Sequence, residues 1–67
     1  MEYFVFNETN KTLSVRDGFT NLVDRLTLKV KFFEIKDGYY HFEVEKHPKL
    51  EYKSLYLPIQ NTLLSVI

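Results

Sequence analysis

The chain has 67 residues, with no cysteine and no tryptophan, and only two glycines and two prolines. Without cysteine, disulfide staples and thiolate metal sites are excluded. With glycine only at Gly18 and Gly38, no glycine-rich loop can be drawn around a phosphate. A surplus of one charge is missing as well, because nine basic and nine acidic residues cancel. Residues 1–28 and 29–45 each carry three basic and four acidic groups, and only 46–67 leans positive, with Lys46, Lys49 and Lys53 against Glu51. Proteins adapted to phosphate backbones usually carry a larger basic excess. Neither a secretory leader nor an apolar run of membrane-spanning length can be read from the chain, so a cytoplasmic location is expected.

What the chain does have is aromatic bulk, in six phenylalanines and five tyrosines. A domain this small buries only roughly 60% of its unfolded surface, so large side chains must supply the core. Not all eleven fit inside one. Some are expected at the surface, where an apolar patch marks a contact site.

The richest stretch is LKVKFFEIKDGYYHFEVEK, Leu28 to Lys46. Asp37-Gly38 suits the positive φ angles of a two-residue hairpin loop. Pairing outward, Lys36 faces Tyr39, Ile35 faces Tyr40, Glu34 faces His41 and Phe33 faces Phe42. Side chains alternate between faces, which puts Ile35, Phe33, Tyr40 and Phe42 on one apolar side. Continued unbroken, that register would oppose Lys31 to Val44 and Val30 to Glu45. One extra residue at Phe32-Phe33, a β-bulge, instead matches Lys31 with Glu43, Val30 with Val44 and Lys29 with Glu45. A bent strand is therefore predicted here.

Elsewhere the pattern predicts an N-terminal hairpin, Glu2 to Asn7 with Thr12 to Arg16, turned through a polar stretch with Asn10 left-handed. Phe19, Leu22, Val23 and Leu26 fall on one face of a short helix, about residues 19–26. His47-Pro48 ends the fourth strand, Tyr52 to Leu57 reads as a fifth, and Pro58 to Asn61 as a tight corner or one 3₁₀ turn. Leu63 to Ile67 is almost wholly apolar and must be covered, by closing a barrel or by another copy. The expected fold is one mostly β domain over residues 1–67. It would be a strongly bent antiparallel sheet or small barrel of five to six strands with one short helix. Over roughly the last forty residues, the bent strands, Pro-marked corner and short closing strand resemble SH3-like and Sm-like barrels in outline. No diagnostic motif accompanies the outline, so it assigns no functional residue.

Chemistry is sparse. His41, Glu43, Glu45 and His47 share one face of the fourth strand. At about 3.3 Å per residue the two histidines lie on the order of 20 Å apart, too far for one ion. His41 with Glu34 or Glu43 offers two ligands and no third, so a solvated polar face is expected and no metal or cofactor. Ser14, Ser54 and Ser65 sit in strand-like sequence with no histidine spaced as a partner. Asp17, Asp24, Asp37 and Glu51 suit turns, caps and helix surface. No enzyme is expected.

The expected function is a binding module working through protein–protein contacts: an adaptor, inhibitor or modulator subunit of the kind phages and mobile elements encode. Phe32, Glu34, Lys36, Tyr39 and His41 form the expected protein-binding face, two aromatics within a charged rim. Leu63, Leu64, Val66 and Ile67 form an expected oligomer contact by strand addition. The alternative is a single-stranded nucleic-acid platform, with Tyr52 and Tyr56 stacking on bases among Lys46, Lys49 and Lys53. Zero net charge favours the protein partner.

Overall fold

The computed structural model describes residues 2–17, 26–51 and 53–67. Six strands follow one another: β1 Glu2–Asn7, β2 Thr12–Asp17, β3 Leu26–Lys36, β4 Tyr39–Val44, β5 Ser54–Pro58 and β6 Leu63–Val66. A single 3₁₀ turn, Ile59–Asn61, separates the last two. They form one sheet in the order β5-β4-β3-β2-β1-β6. Every neighbouring pair is antiparallel except β1 and β6, which run parallel.

The chain forces this sheet to curl. Laid flat, five interstrand gaps of ~4.8 Å would hold the edge strands β5 and β6 about 24 Å apart. The five-residue step from Pro58 to Leu63 reaches at most ~17 Å even when fully extended, and it contains a compact 3₁₀ turn. The Ile59 amide donates to the Gly38 carbonyl at 3.0 Å, tying this corner to the β3–β4 turn. The edges approach without pairing, so the sheet is bent and open.

Both hairpin turns follow from their residues. Asp37 and Gly38 have φ of 52° and 81°, as the two central positions of a primed turn require. In the β1–β2 turn the left-handed residue is Lys11, with φ 56°, and not Asn10. Asn10 instead donates its amide to the Asn7 side-chain oxygen at 3.0 Å. That bond reaches back three residues and closes the turn, and the positive φ falls on the next residue.

The predicted bulge is present one residue earlier than expected. Val30 pairs with Val44 and Glu45 donates to the Lys29 carbonyl at 2.9 Å, as anticipated. The extra residue is Lys31, so Phe32 stands opposite Glu43 and Phe33 opposite Phe42. Packing decides between the two positions. Phe33 stacks on Phe42 at 4.6 Å, lies 5.0 Å from Phe6 and stacks on Tyr40 at 6.4 Å. The residue left over is a solvent-exposed lysine, which gives up nothing by leaving the ladder.

The concave face holds the core, built from Phe4, Phe6, Leu13, Val15, Leu28, Val30, Phe42 and Val44. Leu55, Leu57 and Leu64 cover its margins. Ile35 shares that parity but sits beyond the core at the hairpin end and is exposed. Three further expectations shift. Leu26, the last residue of the expected helix, opens β3, and residues 19–25 lie outside the described residues. Strand β4 stops at Val44, because His47 and Leu50 bridge around Pro48-Lys49 and take the chain out of the ladder. The fifth strand consequently runs Ser54–Pro58, and Tyr52 lies outside the described residues.

Candidate functional site

The outward face of β3, β4 and β5 gathers the chemistry-bearing side chains. Because β4 lies between its two partners, the register sets Glu34 opposite His41 and His41 opposite Tyr56. It likewise sets Phe32 opposite Glu43 and Glu43 opposite Ser54. Alternation then turns Phe32, Glu34, Lys36, Tyr39, His41, Glu43, Ser54 and Tyr56 to the same side.

His41 is the centre of this face. It is only 8% exposed, the sole buried polar residue among those described. The expected solvated polar face is therefore not what surrounds it. Its Nδ1 meets Glu34 Oε2 at 2.8 Å and its Nε2 meets Glu43 Oε1 at 3.0 Å. Ser54 Oγ donates to the other Glu43 oxygen at 2.9 Å. The Tyr56 ring stacks flat on the imidazole, 4.3 Å away and 2° from parallel, and Phe32 meets its edge at 6.1 Å. The Glu34 hydrogen bond raises the His41 pKa above the usual 6.5, helped by Glu43 and opposed by desolvation.

Above this polar node the aromatics face solvent. Phe32 is 51% exposed, Tyr39 44% and Tyr56 60%. A recess of about 320 Å³ opens between Glu34, Lys36, Asp37, Tyr39, His41 and Tyr56. All five residues of the expected protein-binding set, Phe32, Glu34, Lys36, Tyr39 and His41, thus lie on one continuous face. Tyr56, Glu43 and Ser54 join them. Sequence reasoning grouped Tyr56 with the lysines instead, because the β4–β5 register depends on how residues 45–53 loop, which periodicity does not report.

The arrangement constrains its own chemistry. The two ring nitrogens point in diverging directions, each onto a different carboxylate, so the three groups cannot close on one ion. Among the described residues no cluster of three or more candidate ligands suits a metal. Ser54 gives its proton to Glu43 and not to the imidazole, which is the wrong order for activating a serine nucleophile.

The nucleic-acid set is divided. Tyr56 sits on the face just described, beside two carboxylates. Lys46, Lys49 and Lys53 are exposed in the 45–53 segment, where the Lys49 amide donates to the His47 ring at 3.0 Å. Leu63, Leu64, Val66 and Ile67 lie against β1 of the same chain: Leu63 pairs with Tyr3, Leu64 with Phe4 and Val66 with Phe6. The Ile67 amide donates to the Phe6 carbonyl at 2.9 Å, and the Tyr3 hydroxyl hydrogen-bonds Ser65. Much of the cover this segment needs comes from within the molecule, leaving Val66 and Ile67 exposed on an edge strand.

No protein-family model matches this chain, and no curated protein and no solved structure matches it.

Proposed function

We propose that this protein is a non-enzymatic cytoplasmic binding module that engages a protein partner through the outward face of β3, β4 and β5. One observation carries the reading: Phe32, Tyr39 and Tyr56, each over two-fifths exposed, flank a buried and fully hydrogen-bonded His41. Exposed aromatics on a rigid sheet are the anchors of contact surfaces. The Tyr56 ring is stacked flat on His41 and Phe32 meets the edge of the same ring, so less side-chain freedom remains to be lost on binding. The charged groups Glu34, Lys36 and Asp37 provide the polar rim.

Carboxylates beside Tyr56 weaken the nucleic-acid alternative, because a base stacked there would bring its phosphates toward Glu34 and Glu43. Self-association through the outer edge of β6 belongs to the same proposal. That strand carries no charge or proline to block edge pairing.

Capture from the native host, followed by reconstitution with the purified partner, tests the face. The Phe32→Ala/Tyr56→Ala variant should keep the β-sheet circular dichroism and lose the partner at least tenfold in affinity. Equal recovery by the double variant would refute the assignment, as would salt-sensitive binding of an oligonucleotide that depends on Tyr56.

A further inference from the structure

A carboxylate accepts hydrogen bonds and donates none, whereas a neutral imidazole has one donor and one acceptor nitrogen. His41 presents both nitrogens to carboxylate oxygens at hydrogen-bonding distance. Both contacts are satisfied only when the ring is an imidazolium. A neutral ring must turn a lone pair on Glu34 or Glu43, so one of the two bonds breaks and leaves a bare carboxylate beside the aromatic patch.

From this geometry we infer that His41 is a proton-operated latch on the outward face. Protonated, it clamps β3 to β4 and serves as the flat seat for Tyr56; deprotonated, it releases one carboxylate and loosens the patch. Every strand packed against the ring takes part. From β3 come Glu34 and the Phe32 edge, with Lys36 at the far side of the recess. From β4 itself come Glu43 and Tyr39, and from β5 come Tyr56 and, through Glu43, Ser54. Asp37 completes the charged lining from the turn.

The two carboxylates are not equivalent. Glu43 keeps a second bond from Ser54 in either state, while Glu34 has no other partner among the described residues. Deprotonation therefore frees Glu34 in preference, on the strand that also carries Phe32 and Lys36. Resting on the binding reading above, the latch makes the face rigid and less acidic at lower pH, and looser and more acidic as pH rises.

The protein alone suffices for the test, which keeps a failed latch distinct from a failed binding face. NMR of the His41 ring should show protons on both nitrogens at low pH and a titration midpoint above 6.5. Backbone and ring signals of Tyr56 and Tyr39 should move with the same midpoint. Glu34→Gln supplies an amide that can serve a neutral ring as donor, so in that variant the midpoint should fall and the Tyr56 response flatten. A wild-type midpoint at or below 6.5, Tyr56 signals that ignore it, or an unchanged midpoint in Glu34→Gln would each overturn the inference. For a partner bound at this face, affinity should decline across the same pH interval.

Discussion

The two faces of β4 are built from alternate residues of one six-residue strand, yet they are buried by different means. Tyr40, Phe42 and Val44 turn inward onto an apolar cluster drawn from the other five strands, and Phe42 has no exposed surface at all. Tyr39, His41 and Glu43 turn outward, where His41 is almost as buried but is enclosed by two carboxylates and two rings. Inside, burial follows from removing apolar surface from water, a term indifferent to pH. Outside, it depends on hydrogen bonds that only one protonation state completes. Equal burial therefore does not mean equal purpose: one face holds the fold, and the other holds a set of exposed aromatics in place.

The largest effect that would sharpen this contrast is at the centre of the inner face. Phe42→Ala should cost about 3–5 kcal/mol in urea unfolding, enough to unfold much of a domain this small. A loss below ~1 kcal/mol would mean that the inner face is not the main source of stability.

The intermediate effect is electrostatic. Because the folded-state pKa of His41 is raised, its contribution is fully present below the unfolded value of 6.5 and is lost as pH rises through the folded value. Denaturation midpoints should therefore fall across that interval in the wild type and stay flat in His41→Phe. Parallel curves for the two proteins would show that the outer node adds nothing to folding.

The smallest effect is expected at the patch itself. Phe32→Ala removes a half-exposed ring, and its stability should change by no more than about 0.5 kcal/mol while partner binding is lost. If this variant were destabilised as much as Phe42→Ala, the two faces would have to be read as one core.

Much of this contrast could be read before any coordinates. Alternation around Asp37-Gly38 assigned Ile35, Phe33, Tyr40 and Phe42 to one side and Glu34, Lys36, Tyr39 and His41 to the other, with Phe32 joining the second side through the bulge; only Ile35 is exposed against that assignment. Unlike charges on facing strands required a bulge near Phe32, because no straight register satisfied both sides. Its placement at Lys31 was not legible, since it turns on ring stacking among Phe6, Phe33 and Phe42. The burial of His41 was equally hidden. Glu34 could be found across the hairpin, but the covering ring of Tyr56 arrives from β5 after a loop whose length periodicity does not interpret.

The sequence by itself determined the mostly β class, the primed turn, the bent third strand and the partition of β3 and β4 into an apolar and a polar side. These depend on local rules: side-chain alternation, turn conformations and charge pairing between residues close along the chain. Only the tertiary structure decided that Leu63–Val66 pairs in parallel with β1, that Lys31 is the residue left over, and that Tyr56 covers His41. Those outcomes are contacts between residues far apart in the chain, selected by the packing of a whole curled sheet, and no short window of sequence contains that packing.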